Sequence, residues 1–142
     1  MIGLVLCGHG DFASGLYSSV KLIAGEQEKF NVINFSEGIS SEKLQALLDS
    51  AVETVDQGQG VVIFTDIPGG TPFNQSVILS TRKENIRVIS GTNLPAVLDG
   101  CFSRELPLDN FTTKVLDSGR EGLQEFIQKK KSSVNSDMED GI

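Results

Sequence analysis

Four short apolar runs alternate with longer amphipathic stretches along this chain, and this alternation constrains the fold more than any other feature. After each run the apolar residues recur at helical spacing. Strands that alternate with helices are typical of a parallel sheet with helical crossovers. We therefore predict an α/β fold with a doubly wound, mostly parallel sheet. Its first four strands are expected at residues 2–7, 30–35, 60–65 and 86–90.

The third helix has the clearest start signal. Thr71 stands where an N-cap is expected, and Pro72 stands at the first helical position, where its missing N–H costs nothing. This helix is predicted to run to about Arg82. The first two helices are predicted at about 12–25 and 40–55, the second with Ser41 as its cap.

The C-terminal third has weaker patterns. Two further helices are predicted at 94–102 and at 109–117, the second ended by Gly119. Leu123, Phe126 and Ile127 also have helical spacing, although the glycines just before them indicate a break. Residues 131–142 lack apolar periodicity, so we predict one domain over 1–130 and a polar, disordered tail over 131–142.

The charge balance argues against a nucleic-acid partner. The chain has 19 acidic and 12 basic residues, a formal net charge of -7 that would repel a polyanion. Its first six residues are too short for the apolar part of a signal peptide, and no run approaches the roughly 20 residues that span a bilayer. We expect a cytosolic protein without membrane insertion, in which Cys7 and Cys101 are reduced.

Two loops hold the unusual residues of the chain. One is Gly8-His9-Gly10-Asp11 after the first predicted strand, and the other covers residues 66–74 after the third. In a doubly wound sheet of order 2-1-3-4-5, these two loops flank the crevice where ligands bind. The coincidence predicts that the functional site lies between them.

His9 is the only histidine, and its glycine neighbours would leave the ring accessible. With no second histidine and no clustered cysteines, a zinc site is disfavoured. No Gly-x-Ser-x-Gly motif supports a serine hydrolase, which leaves His9 as a nucleophile. Asp66 is placed to accept the ring N–H and to stabilise the cation formed on attack, although it could instead cap the local turn.

A phosphoryl group is one electrophile that such a histidine could accept. Its transition state needs hydrogen-bond donors that already point inward. Gly69, Gly70 and Thr71 precede a predicted helix, whose free N–H groups and dipole would provide them. The Thr71 hydroxyl could cap the helix, contact the phosphate oxygens, or do each in turn.

Five motifs cover residues 1 to about 125. They are Gly-His-Gly within 4–10, Ala-Gly-Glu-Gln within 22–27, Gly-Gly-Thr-Pro-Phe-Asn within 66–74, Ile-Ser-Gly-Thr-Asn-Leu-Pro within 88–95, and Gly-Arg-Glu-Gly within 118–122. In this order and spacing they resemble the mannose-type enzyme IIA domains of the bacterial phosphoenolpyruvate-dependent sugar phosphotransferase system.

The resemblance implies a phosphocarrier whose phosphoacceptor is His9, modified on the ring nitrogen distal to the backbone, with Asp66 bonded to the other nitrogen. Thr71 matches the residue beside the phosphate, with Gly70 next to it. No cofactor or metal is implied. The residues expected to line the site are Gly8, Gly10, Phe35, Pro68 and Gly69.

The resemblance also implies partners. Phosphate would come from the histidine-containing phosphocarrier protein and pass to an enzyme IIB subunit, expected here as a separate polypeptide. Members of the family are homodimers that exchange a C-terminal strand, so the segment around 123–127 is expected as an antiparallel edge strand on the partner's sheet. Pro68 stands where some relatives carry tryptophan, which could alter contacts with these partners.

Two rival interpretations stay open at this point. A first strand that ends in Gly-His-Gly also resembles tetrapyrrole metal chelatases, although these use more metal ligands than this chain offers. A receiver-like module would instead be phosphorylated on Asp66. It would also require an acidic pair after the first strand, where only Asp11 is present.

Overall fold

A four-stranded parallel sheet forms the centre of the molecule. The structure is a computed structural model and describes residues 1–129. The strand order is β2-β1-β3-β4, and every pairing is parallel. This confirms the predicted α/β class and the parallel sheet. The strands are β1 (Gly3–His9), β2 (Phe30–Phe35), β3 (Val61–Thr65) and β4 (Ile86–Ile89).

Helices cover both faces of the sheet, which explains why β1 and β3 are apolar on both sides. One layer contains α2 and α3, and the other contains α1, α4 and α5. No helix within residues 1–129 is long and apolar enough to cross a membrane. The helices are α1 (Phe12–Ala24), α2 (Ser41–Val55), α3 (Thr71–Arg82), α4 (Leu94–Cys101) and α5 (Leu108–Gly122).

Side-chain alternation along β1 assigns each residue to one layer. Val5 and Cys7 belong to the core beneath α2 and α3, whereas Leu4 and Leu6 belong to the core beneath α1, α4 and α5. Because successive side chains of a strand point to opposite faces, His9 points to the same face as Cys7. The last side chain of β1 therefore emerges on the α2–α3 side.

Several predicted helix ends are wrong by a few residues. Ser40, not Ser41, caps α2, with its Oγ accepting the Lys43 N–H at 3.0 Å. Helix α5 continues past Gly119 to Gly122. Gly119 allows close packing on α4 rather than ending the helix, because a Cβ there would lie 3.2 Å from Cβ of Ala96.

A fifth strand is not formed within residues 1–129, so the predicted order 2-1-3-4-5 is incomplete. The segment after α5 has neither strand nor helix as far as residue 129, and Leu123, Phe126 and Ile127 are exposed. One edge of β4 accordingly has no neighbour in the described sheet. The exchanged strand stays a prediction, and the predicted tail at 131–142 lies outside the described residues.

Arg104 joins the start of β1 to the turn before β2. Its side chain is only 7% exposed, and its guanidinium donates to the carbonyls of Ile2 (2.9 Å), Glu28 and Lys29 (2.7 Å). The three acceptors are main-chain oxygens, and each would lose a donor if the guanidinium were removed. Arg104 therefore contributes to the stability of the amino edge of the sheet.

We expect Arg104→Met to lower the free energy of unfolding by about 2–4 kcal/mol, because one buried and two partly buried hydrogen bonds are lost at similar side-chain volume. Urea denaturation would measure the change. Lys43→Met, at an exposed position on α2, serves as the matched control and should change stability by less than about 0.5 kcal/mol. Equal stability of the two variants would show that the Arg104 hydrogen bonds are energetically neutral.

Candidate functional site

His9 lies at the carboxyl edge of the sheet. It is the last residue of β1 rather than part of the following loop, and its Cα pairs with that of Phe35 on β2. The His9 side chain is 45% exposed, so the ring is held by the strand yet open to solvent. The Phe35 ring meets the imidazole edge-on, with ring centroids 5.8 Å apart and an interplanar angle of 74°. The pairing of β1 with β2 thus places the Phe35 ring beside the imidazole.

Asp66 follows β3 directly and contacts His9 twice through one carboxylate oxygen. Its Oδ2 accepts the main-chain N–H of His9 at 2.8 Å and lies 2.7 Å from the ring Nδ1. The carboxylate side chain is only 11% exposed. The structure therefore brings together the two residues that the sequence suggested as a pair, across 57 positions of chain.

Hydrogen bonding decides the charge of Asp66. Burial alone would raise its pKa, but the bonds from the main-chain N–H and the ring of His9 outweigh burial and hold the pKa below its ordinary value. At neutral pH the carboxylate is ionised and can only accept hydrogen bonds. In the neutral imidazole Nδ1 consequently carries the proton, and Nε2 has the free lone pair.

The lowered pKa of Asp66 predicts acid sensitivity. A carboxyl group with a depressed folded-state pKa stabilises the fold above its unfolded value of about 3.9, and this stabilisation is lost as pH falls through the folded value. We expect the free energy of unfolding to drop more steeply below about pH 4 in the wild type than in Asp66→Asn. Urea denaturation at pH 7, 4 and 3 would measure the difference.

A second carboxylate provides an internal reference for that experiment. Burial opposes the shift at Asp99, but bonds from Lys114, Ser118 and Ser103 lower its pKa as well. This contribution is common to wild type and variant, so the difference between them isolates Asp66. Parallel pH profiles would mean that Asp66 has the same pKa in the folded and unfolded states.

The N-terminus of α3 lies against the far side of the imidazole. Gly70 is the N-cap and Thr71 the first helical residue, so the prediction of Thr71 as the N-cap is wrong by one position. A Cβ built on Gly70 would stand 2.8 Å from Cε1 and 3.6 Å from Nε2 of His9. Only a glycine lets the main chain come this close to the ring.

Main-chain donors of α3 are available beside that contact. The first bond that closes the helix runs from the Asn74 N–H to the Gly70 carbonyl at 2.8 Å, so the N–H groups of Thr71 and Phe73 precede the helical ladder. Pro72 has no N–H. The positive end of the helix dipole also favours negative charge here. Helix N-termini of this kind bind anions, and Gly70 brings this one against the ring.

The remaining predicted residues surround this arrangement. Gly10 has φ +56° and donates its N–H to the Phe35 carbonyl at 2.9 Å, which turns the chain sharply after His9. A Cβ at Gly8 would lie 2.5 Å from the ring of Phe12, so this glycine permits the packing of α1. Pro68 and Gly69 lie exposed in the turn between β3 and α3.

Other nucleophiles and ligands are poorly placed. Burial, followed by the charge of Asp66, raises the pKa of Cys7 to about 12, so its thiol stays protonated. Burial also raises the pKa of Cys101 to about 11. Within residues 1–129, no three side chains of His, Cys, Asp or Glu converge as metal ligands would. In its neutral form, His9 offers the free lone pair of Nε2 at this edge.

Asn74 is a residue of the site that sequence reasoning missed. It lies in the first turn of α3, and its side-chain Nδ2 donates to the Gly69 carbonyl at 3.0 Å. The motif Gly-Gly-Thr-Pro-Phe-Asn contained this residue, but an asparagine five positions after a glycine has no distinctive local pattern. The contact exists only because the turn folds back onto the helix.

Comparison with known proteins places this geometry in a family. The model of the mannose-type EIIA family, described as the PTS system fructose IIA component, matches residues 3–110. The fructose-specific EIIA component of Bacillus subtilis is 28% identical over 146 residues and is matched along the full length of both chains. The crystal structure of a phosphotransferase system component EIIA from Streptococcus agalactiae superposes with a TM-score of 0.82 and 36% identity, covering 88% of this chain and 97% of that one.

A longer relative shares only part of its length with this chain. The mannose-specific EIIAB component of Escherichia coli K12 is 30% identical over 130 residues, which are 90% of this chain but 40% of that protein. The match to the family model extends over most of the described chain and includes His9 at the end of β1, Asp66 directly after β3 and Thr71 at the start of α3. The chain belongs to the mannose-type enzyme IIA family of the sugar phosphotransferase system.

Proposed function

We propose that this protein carries a phosphoryl group on Nε2 of His9, taken from the histidine-containing phosphocarrier protein and passed to an enzyme IIB subunit for sugar uptake. The single observation that carries the proposal is the 2.7 Å contact between Nδ1 of His9 and Oδ2 of Asp66. It directs the lone pair of Nε2 outward, toward the N-terminus of α3. The half-exposed ring is accessible to a partner protein.

The transfer step uses only groups of the two proteins. Nε2 attacks the phosphorus atom of the donor's phosphohistidine, a new N–P bond forms, and the donor's N–P bond breaks. The bonding electrons return to the donor imidazole. The Nδ1 proton of His9 stays in place throughout, and Asp66 stabilises the positive charge that the ring acquires. Transfer onward repeats the step with His9 as the leaving group.

The N-terminus of α3 supplies the electrostatic part of the proposal. Charge on the equatorial oxygens of the moving phosphoryl group would be met by the N–H groups of Thr71 and Phe73 and by the Thr71 hydroxyl. Gly70 leaves the space that this group must occupy beside Nε2. These groups are held by the helix before the phosphoryl group arrives, so little reorganisation is needed.

Family membership supports the proposed donor and acceptor proteins. A single acceptor nitrogen means that donor and acceptor proteins use the same exposed edge in turn. The E. coli relative is named as an EIIAB component, of which this chain matches 40%, and this supports an enzyme IIB partner for His9. We propose that this phosphoryl transfer takes place in the cytosol.

The open edge of β4 supports a homodimer with exchanged strands. A groove of about 780 Å³ lies between β4 and α5, and Leu123 lines its rim. The next large apolar residues, Phe126 and Ile127, are exposed in a single chain. We propose that this segment of a second copy completes the sheet as its fifth strand. Light scattering of the full chain against a variant that ends at residue 122 would test it: loss of the dimer supports the proposal, and a monomeric full chain contradicts it.

Intact-mass spectrometry tests the phosphocarrier function. The protein is incubated with phosphoenolpyruvate, enzyme I and the phosphocarrier protein, then washed with acid or base, in parallel with His9→Ala. We expect one added phosphate that survives base, is lost in acid and is absent from His9→Ala. A base-labile phosphate retained by the variant would instead favour Asp66 as the acceptor. Absence of any added phosphate would contradict the phosphocarrier function and favour tetrapyrrole metal binding.

A further inference from the structure

We propose that Asn74 is a positioning residue for phosphoryl transfer, because its side-chain amide holds the turn that presents the N-terminus of α3 to His9. The inference rests on the proposed phosphocarrier function. It concerns a residue that does not touch the reacting nitrogen and acts through the main chain of Gly69 and Gly70.

Asn74 donates hydrogen bonds to two successive carbonyls of this turn. Its Nδ2 donates to the Gly69 oxygen at 3.0 Å, and its main-chain N–H donates to the Gly70 oxygen at 2.8 Å. Within residues 1–129, no other side chain donates a hydrogen bond to a carbonyl of residues 67–70. The remaining bond inside the turn, from the Gly70 N–H to the Ile67 oxygen, is long at 3.4 Å.

Among the described residues, apart from the Asn74 bonds, the turn is held by one long hydrogen bond, and its outer residues are exposed. Pro68 and Gly69 are exposed, and Gly69 has φ +81°, a conformation that glycine adopts without strain and leaves as easily. On its inner side the turn already touches the imidazole, since a Cβ at Gly70 would stand 2.8 Å from Cε1 of His9. The ring blocks inward movement, and the Asn74 amide opposes outward movement.

The position of this turn controls the donors that follow it. The N–H of Thr71 is attached directly to the Gly70 carbonyl carbon, so it moves with the Gly70 peptide. Donors act on a transition state only within about 2.7–3.1 Å of the oxygen they stabilise. Loss of the Asn74 bond is therefore expected to weaken transition-state stabilisation while leaving the helix intact.

Replacement by aspartate separates positioning from helix stability. A carboxylate in the first turn of α3 interacts favourably with the helix dipole, so Asn74→Asp should fold at least as stably as the wild type. At neutral pH it cannot donate to the Gly69 carbonyl, and it adds negative charge near an incoming phosphoryl group. A purely structural role predicts an unchanged or improved protein, whereas a positioning role predicts a stable protein with slow transfer.

Kinetic parameters separate positioning from docking. Asn74 is exposed, so it could instead contact a partner protein. A docking residue raises KM for the phosphorylated carrier protein with kcat unchanged, whereas a positioning residue lowers kcat with KM unchanged.

The test measures steady-state phosphoryl transfer from the phosphorylated carrier protein through the full chain to an excess of enzyme IIB subunit, for wild type, Asn74→Ala, Asn74→Asp and Asn110→Asp. Asn110 is the matched control, because it is exposed in the first turn of α5, whose start lies at the amino edge of the sheet where Leu108 abuts Gly60. We expect kcat to fall about tenfold in Asn74→Ala and up to about a hundredfold in Asn74→Asp, with KM within twofold. Asn110→Asp should match the wild type.

Thermal unfolding of the same proteins completes the design. Reduced kcat in both folded Asn74 variants supports the inference. Wild-type kcat in Asn74→Ala overturns it, because slow transfer in Asn74→Asp alone would be an effect of the added charge, and a rise in KM alone overturns it as well. A wild-type chain that accepts no phosphate at all refutes the phosphocarrier proposal itself, so the two failures are distinguishable.

Discussion

Asp66→Asn is expected to slow phosphoryl transfer to His9 by about a hundredfold or more without unfolding the protein. An amide of the same shape can keep its oxygen toward the main-chain N–H and Nδ1 of His9, which Oδ2 now contacts at 2.8 and 2.7 Å. It cannot supply the negative charge that stabilises the ring as Nε2 attacks phosphorus. The amide NH₂ would also take the place of Oδ1, a buried atom without a hydrogen-bond partner among the described residues.

Rapid-quench measurement of a single turnover from the phosphorylated carrier protein would quantify this loss. Thermal unfolding at pH 7 should show that Asp66→Asn still folds, so that the slower step is assigned to chemistry. Transfer at the wild-type rate would remove Asp66 from the mechanism and leave it as a residue that orders the turn after β3.

Gly70→Ala is expected to reduce transfer by about a hundredfold or more, for a steric reason. The new Cβ would stand 2.8 Å from Cε1 of His9 and 3.2 Å from Cγ1 of Ile67. Either the imidazole or the turn must shift, and the methyl group occupies space beside Nε2. The main chain at Gly70 has φ −76° and ψ 168°, which alanine adopts readily, so the fold should survive.

Gly15→Ala is the matched control for that substitution. Gly15 lies inside α1, and a Cβ built there meets no atom within 4 Å. We expect an unchanged transfer rate and a free energy of unfolding higher by about 0.5–1 kcal/mol, since alanine favours the helix over glycine. If Gly70→Ala also transferred at the wild-type rate, the phosphoryl group would have to approach His9 away from the N-terminus of α3.

Local sequence patterns predicted the sheet and the position of the site. Alternating apolar runs and helical spacing are set by neighbours within a few residues, and α1, α3 and all four strands lie within a few residues of their predicted bounds. Parallel strands joined by helices place their carboxyl ends at one edge, so the loops after β1 and β3 had to meet. This geometric rule made His9 and Asp66 a candidate pair before any distance was known.

The errors occurred where a distant contact overrode a local signal. Gly119 has the character of a helix stop, yet α5 passes through it because α4 packs so closely that a Cβ there would stand 3.2 Å from Cβ of Ala96. The helical spacing of Leu123, Phe126 and Ile127 left the next segment undecided, and in the described chain it has neither helix nor strand, with all three side chains exposed.

The sequence by itself therefore determined the layers of the fold, the edge at which the site lies and the residue types that meet there, because periodicity and strand–helix alternation are properties of short segments. Only the tertiary structure decided how short the contact between Asp66 and Nδ1 of His9 is, how closely Gly70 approaches the ring, and that Asn74 ties the turn to α3. Those features depend on distances of a few tenths of an ångström between groups as far as 57 residues apart, and no local pattern encodes them.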